Sequence, residues 1–201
     1  MPQNYQLLFE KAVSEVNYTP RLLLHVCCAP CATRALEVMS PYFSIDILFY
    51  NPNIQPKAEY EKRLFSLELL LKSMPLPNAA RLLGAPYRGG DFSFAAAGYE
   101  QEPEGGARCS RCFELRLREA GKLAREGGYD FFSTTLTVGP RKSAEVINEL
   151  GFQISGQIGV PWLPADFKKR DGYRRSVELS GKYGLYRQNY CGCRFSKTLA
   201  F

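Results

Sequence analysis

RLLLHVCCAPC, residues 21–31, decides how the rest of the chain is read. Arg21 to Val26 is a short apolar run and reads as a buried strand. Cys27-Cys28-Ala29-Pro30-Cys31 follows as a loop, and a helix is expected from about Cys31 to Met39. Upstream, Tyr5, Leu8, Ala12 and Val16 mark an amphipathic helix. Downstream, IDILFY at 45–50 is a second strand that ends in the turn Asn51-Pro52-Asn53-Ile54-Gln55-Pro56. Tyr60, Leu64, Leu67 and Leu71 then share one helical face.

The same alternation continues. Arg81 to Gly84 is a short strand, and the polar, glycine-rich EQEPEGGAR at 100–108 predicts a mobile loop. Cys109-Ser110-Arg111-Cys112 opens a helix with Phe113, Leu117, Ala120 and Ala124 facing inward. Tyr129 to Ser133 is a strand, Thr134 to Thr137 a turn, and Arg141 to Leu150 a helix. The pattern weakens after Gly159-Val160-Pro161-Trp162, until a helix over Tyr173 to Tyr183 precedes the tail Tyr190-Cys191-Gly192-Cys193. Strand–helix alternation predicts one α/β domain, residues 1–201, with a parallel sheet. Sites in such sheets form where strands end and helices begin. Cys27 to Cys31, the 51–56 turn and the 134–137 turn all fall there.

The 201 residues are 45% hydrophobic and 23% charged, ordinary for a domain that buries its own core without disulfide staples. No apolar run is long enough for a membrane span. Met1 to Val16 lacks the basic-then-apolar order of a secretory signal, so a reducing, cytoplasmic setting is expected. Lys and Arg exceed Asp and Glu by 6. Residues 168–175 hold five of these basic side chains (Lys168, Lys169, Arg170, Arg174, Arg175) against one acid, with Tyr173 among them. On charge alone the run is a solvated face, although it also suits a phosphate backbone.

Seven cysteines carry the chemistry. C-C-x-x-C at 27–31 and C-x-x-C at 109–112 each place thiols at a loop–helix junction, where the helix N-terminus favours the thiolate that metal ligation needs. Zinc and iron–sulfur clusters both accept four thiolates. A zinc staple has little to add to a large α/β core, so the reading favours an iron–sulfur cluster on Cys27, Cys28, Cys109 and Cys112, with Cys31 a competing ligand. Cys191-Gly192-Cys193 reads as a redox couple or a ligand pair for a second metal, against two ordinary thiols in a loop. His25, the only histidine, reads as a hydrogen-bonded core residue. A thioredoxin-type site at Cys28–Cys31 leaves the other cysteines unexplained, and a phosphate cradle there lacks glycine.

LHVCCAPC at 24–31 with YNPNI at 50–54, RCSRCF at 108–113, FSTTL at 132–136 and YCGC at 190–193 resembles the cobalamin-independent epoxyqueuosine reductase family, from about Arg21 to Ser196. The resemblance implies an α/β domain like the nucleotide-hydrolase and ATP-pyrophosphatase-like folds of tRNA-modifying enzymes. It implies the last step of queuosine synthesis in tRNA, in which the epoxide on the cyclopentane ring at the wobble base loses its oxygen as water. It implies a 4Fe–4S cluster in place of cobalamin and allows an additional iron ion. Removing the oxygen takes two electrons and two protons, so an electron donor is required. A second metal or the Cys191–Cys193 couple would supply the second electron. Tyr50, Tyr60, Asp166 and Tyr190 are candidate proton donors. By the same resemblance Asn51 and Asn53 hold the modified base. With tRNA as partner, Lys168, Lys169, Arg170, Arg174 and Arg175 become backbone contacts.

Overall fold

Four strands form one parallel sheet in the order β3-β2-β1-β4: β1 (Arg21–His25), β2 (Ser44–Leu48), β3 (Ala80–Leu83) and β4 (Phe131–Thr134). The computed structural model describes residues 3–84 and 87–196, so both ends of the single domain expected over 1–201 lie outside the described residues. β1 sits at the centre, with Leu23 opposite Asp46 on one side and Phe132 on the other. Helices are α1 (Tyr5–Ser14), α2 (Ala29–Met39), α3 (Lys57–Ser73), α4 (Gly89–Ala96), α5 (Ala107–Glu126), α6 (Ala144–Ile158) and α7 (Gly172–Lys182). None is long and apolar enough to cross a membrane.

The apolar run of β1 follows from burial on both sides. Leu22 and Leu24 join a core with Ala32 and Leu36 of α2 and Leu67 and Leu70 of α3. Leu23 points the other way, against Leu117, Ala120 and Ala124 of α5 and Ile147 and Ile154 of α6. Strands covered on both faces read as continuous rather than alternating apolar runs, and each such leucine is worth about 2 kcal/mol. α2 and α3 cover one face while α5 and α6 cover the other. The gap between β1 and β4 is therefore the point where connections diverge, where open α/β sheets place their sites.

Boundaries differ from expectation in instructive places. α2 begins at Ala29 with Pro30 in its first turn, so Cys28 is the capping residue and Cys31 lies inside the helix. Pro30 costs nothing there because first-turn N–H groups have no helical partner. α6 starts after the Ser143 cap and runs to Ile158, well past Leu150. It passes through Gly151 because the Trp162 ring packs there, 2.2 Å from where a Cβ would stand. Asn148 fastens this packing, accepting from Trp162 Nε1 at 3.0 Å and donating to the Ala165 carbonyl at 3.0 Å. α4 was not expected, since its glycines and mixed Phe–Ala content carry little periodicity. Residues 99–106 form turns whose carbonyls, those of Tyr99, Glu100 and Glu102, accept from Arg108 Nη1.

The open edge of the sheet is clasped by Asp46. Its carboxylate accepts two bonds from Arg81 of β3 at 2.9 Å and one from Tyr129 at 2.6 Å. Burial works against the carboxylate, but Arg81, Tyr129 and Arg21 together hold its pKa below the ordinary value. A depressed carboxyl pKa contributes stability that is complete above the unfolded value near 4 and is lost as pH falls through the folded value. Asp46→Asn should therefore lower stability at pH 7 by about 1 kcal/mol in urea unfolding. The gap between variant and parent should close as the pH is taken below about 4; a gap that persists there would mean the clasp is not electrostatic.

Candidate metal and redox centre

β1 delivers the first cysteine group directly. At its end the His25 ring is fully buried, with Nε2 3.1 Å from the Tyr50 carbonyl and Nδ1 2.8 Å from Thr134 Oγ1. A carbonyl only accepts, so Nε2 carries the proton and Nδ1 accepts from the threonine hydroxyl. Both nitrogens are used and neither is left for a metal. Burial, then Arg116, lowers its pKa to about 4, so the ring is neutral. Cys27 N donates to Thr135 Oγ1 at 3.1 Å, which ties β1 to the end of β4.

The sulfurs of Cys27, Cys28 and Cys31 lie within 4.8 Å of one another, Cys27 and Cys28 at 3.9 Å. Tetrahedral thiolates on a single ion with bonds near 2.3 Å stand about 3.8 Å apart, so the three can converge on a metal. The Cys28 and Cys31 thiols hold Cys27 well below the usual thiol pKa, and their own values rise in return.

α5 carries the second group. Cys109 and Cys112 are three residues apart and so share a helical side. Cys109 Sγ accepts from Gly105 N at 3.2 Å. Cys112 is buried with Phe92 and Cys193, and burial pushes its pKa up to about 11. The third group sits on a turn with Gly192 at φ +105°, a conformation that glycine adopts freely. Arg63 of α3 clamps that turn: Nη1 donates to the Cys191 carbonyl at 2.9 Å and Nε to Glu59 at 2.7 Å. Its guanidinium lies 2.9 Å from where a Gly192 Cβ would stand. All seven cysteines are free thiols. The Cys193 thiol holds Cys191 well below the usual pKa, against burial, while that of Cys193 rises.

Two cations bind the three groups into one electrostatic unit. Burial opposes the charge on Arg116, but Cys112, Cys191, Cys27 and Cys109 outweigh it and raise its pKa. Burial likewise opposes Lys142, and Cys191, Cys27 and Cys31 outweigh it. Cys27, Cys28, Cys31 and Cys191 line one pocket with Arg116 and Lys142, and Cys109 lines an adjoining one with Lys142 and Cys191.

A cavity of about 500 Å³ opens onto this unit, with Tyr173, Arg187 and Arg141 on its wall. It leads to an inner pocket of about 40 Å³ that shares Cys28, Cys31, Lys142, Gln188, Tyr190 and Cys191 with it. Asn51 and Asn53 line the inner pocket. Asn51 Nδ2 donates to the Val26 carbonyl at 2.8 Å, and Asn53 Nδ2 stands 4.0 Å from Cys191 Sγ.

Other expected site residues stand elsewhere. The Tyr50 hydroxyl donates to Asp91 at 2.6 Å, and the Tyr60 hydroxyl to the Phe49 carbonyl at 3.0 Å. Asp166 pairs with Lys168 at 3.1 Å, whose ammonium also serves the Thr137 and Lys142 carbonyls. Neither Tyr50 nor Asp166 lines the two cavities. In the basic run Arg170 pairs with Glu10, Arg174 with Asp171 and Arg175 with Glu37. Lys169 has no ion pair among the described residues.

Sequence reasoning passed over Arg63, Arg116, Lys142 and Gln188. The first two had a signal. Arg63 falls on the face marked by Tyr60 and Leu67, and Arg116 on that marked by Phe113 and Ala120. An arginine on an apolar helix face needs a buried partner.

A family model described as epoxyqueuosine reductase QueH matches residues 22–199. Proteins named epoxyqueuosine reductase QueH are similar over most of the chain. That of Staphylococcus epidermidis is 42% identical over 200 residues, covering 96% of this chain and 84% of its own. That of Streptococcus pyogenes serotype M1 is 40% identical over 182 residues, covering 90% and 71%. That of Thermotoga maritima is 36% identical over 186 residues, covering 87% and 89%.

Cobalt(II) titration of reduced, metal-free protein tests the trio. Thiolate-to-cobalt charge-transfer absorption should appear and should be lost in Cys27→Ser and Cys28→Ser while surviving in Cys193→Ser. Absorption unchanged in both of the first two variants would remove the trio from metal binding.

Proposed function

The chain belongs to the epoxyqueuosine reductase QueH family, and from that premise we propose that it removes the epoxide oxygen of epoxyqueuosine in tRNA to give queuosine, the last step of queuosine synthesis. The observation that carries this reading is that Cys27, Cys28, Cys31 and Cys191 line the inner end of one cavity with Arg116 and Lys142, while Cys109 lines an adjoining pocket that shares Lys142 and Cys191. An oxidoreductase of this class needs an electron relay beside a nucleoside-sized opening, and this arrangement supplies the side chains for one.

The relay we propose is a 4Fe–4S cluster on Cys27, Cys28, Cys109 and Cys112, with Cys31 flanking it and room in the ligand count for an additional iron ion. The donor set fits: thiolates from two helix starts, and guanidinium N–H groups of Arg63 and Arg116 without protein partners, which suit anionic sulfur. Such a cluster, when bound, passes electrons one at a time. The chain's own residues do the rest. Cys191 and Cys193 as a dithiol hold two electrons and two protons, the amount consumed when an epoxide becomes an alkene and water. The resulting disulfide returns to the dithiol at the expense of an electron donor. Gly192 and the Arg63 clamp keep the pair on one turn. Tyr190 and the Lys142 ammonium line the cavity and stand where a leaving oxygen would take its proton.

We place the anticodon loop over the cavity mouth. There Arg187 stacks on Tyr173 at 5.2 Å, a surface for a base and a phosphate. Arg170, Arg174 and Arg175 would join by exchanging carboxylate partners for phosphates, with Lys169 beside them, whereas Lys168 is held by backbone carbonyls. A tRNA substrate and reduced thiols both suit the cytoplasm.

Two measurements test the reading. Protein purified without oxygen should hold about four iron with matching sulfide per chain. It should convert epoxyqueuosine in tRNA to queuosine, seen as loss of one oxygen in the isolated nucleoside. Cys109→Ser should lower both iron and turnover, and Cys193→Ser turnover alone; intact iron and turnover in Cys109→Ser would sink the cluster assignment. Arg187→Ala should weaken tRNA binding regardless of the wobble base and reduce the salt slope by about one.

A further inference from the structure

The cavity of about 500 Å³ is wide enough for a nucleobase, which the inner pocket of about 40 Å³ is not. Arg141, Lys142 and Arg187 make its wall basic. Glu104 is the one carboxylate among the described residues on that wall. A carboxylate repels phosphate, so in a cavity otherwise suited to a polyanion it has a different task.

Local structure fixes where Glu104 stands. Arg108 Nη1 gathers the carbonyls of Tyr99, Glu100 and Glu102 ahead of it. Behind it, Gly105 N donates to Cys109 Sγ at 3.2 Å and Ala107 N to Glu102 Oε2 at 3.0 Å. The Glu104 carboxylate itself meets only Arg141 among the described residues, at 3.8 Å, beyond hydrogen-bonding distance. Its side chain is 27% exposed and that of Arg141 73%, which puts the pair at the mouth. Cys28, Cys31 and Cys191 mark the inner end, where the large cavity meets the small pocket. An ion pair so loose and wet is worth about 0–1 kcal/mol, so exchanging partners costs little.

The surroundings narrow what the carboxylate takes. A metal ion needs more donors, and among the described residues Glu104 joins no group of three metal-ligating side chains. A cationic amine would face Arg141, Lys142 and Arg187 as well. A neutral group with two adjacent N–H donors suits a carboxylate, and an acceptor beside them suits the neighbouring guanidinium. Among the four common bases only guanine offers that row on its Watson–Crick edge: O6 accepts, and N1–H and N2–H donate. The 7-deazaguanine of epoxyqueuosine keeps this edge, and its epoxide ring hangs from C7 on a flexible arm. A base held at the mouth therefore leaves the ring free to reach the cysteines.

We propose that Glu104 reads the N1–H and N2–H groups of the substrate's deazaguanine, with Arg141 on O6, and that Glu104 is the specificity-determining residue for the base. The inference rests on the epoxyqueuosine reading and names the edge of the nucleoside that is held.

The test titrates iron-loaded enzyme with two anticodon stem-loops that differ only at the wobble position, guanosine in one and inosine in the other. Inosine keeps O6 and N1–H and lacks the 2-amino group. The parent enzyme should bind the guanosine loop about ten-fold tighter, and Glu104→Ala should bring the two within about two-fold. Arg141→Ala should weaken both loops alike and keep the ratio. Either substitution breaks the ion pair, so a ratio lost equally in both variants would make the pair a mere tie between two turns and overturn the proposal. In turnover of epoxyqueuosine in tRNA, Glu104→Ala should raise KM about ten-fold, leave kcat within about three-fold and keep its iron. A parent without preference, a Glu104→Ala enzyme that retains it, or loss of iron in that variant also overturns the base assignment. A parent that discriminates the loops yet fails to deoxygenate epoxyqueuosine in tRNA overturns the functional reading instead.

Discussion

Removing Arg116 from water, and Lys142 in part, is costly, and the sulfur around them offsets it, helped at Arg116 by the Cys112 carbonyl, which accepts from Nε at 3.0 Å. That constraint organises the catalytic edge. A buried guanidinium demands negative charge nearby, and thiols close to it become thiolates more readily. The same attraction that justifies the cations prepares the cysteines to ligate metal or exchange electrons. Remove the sulfurs and the buried Arg116 charge is stranded; remove the cations and the sulfurs lose their counter-charge.

The sheet makes this balance possible by being stiff where the sulfurs attach. β1 is buried on both faces and paired on both edges, and its chain leaves the sheet straight into Cys27. Thr134 and Thr135 at the end of β4 fix His25 and the Cys27 backbone across the gap. The opposite wall is less rigid in kind. The Cys191–Cys193 turn belongs to no strand or helix and is held by side chains of α3 and by a bond from Gln55 N to the Gly192 carbonyl at 2.9 Å. The cysteines that follow β1 and those of the 191–193 turn thus sit on supports of different kinds.

Much of this was legible from sequence, for physical reasons. The RLLLHV run, the IDILFY run and the turn after each announce a parallel sheet with its site at the strand ends, because burial on both faces writes itself into composition. Cysteine spacing was legible too, since i, i+3 geometry is local. What stayed hidden depended on tertiary partners. α6 runs through Gly151 only because Trp162 fills the space beside it. The basic run at 168–175 looked free for phosphate, yet its partners Glu10 and Glu37 lie far away in sequence. Asp166 and Tyr50 were plausible acids by type, and their engagement with Lys168 and Asp91 is a matter of packing. Arg63 and Arg116 stood on apolar faces and were readable in principle.

The three cysteine groups come from near the start, the middle and near the far end of the described chain. During synthesis the first group leaves the ribosome long before the others exist. An emerging chain therefore displays two or three thiols without the arginines, the lysine or the partner cysteines that give them affinity. Only after the last segment docks against α3 do all three cysteine groups stand together. The assembled cysteine edge is thus a product of the completed fold rather than of any one stretch of chain.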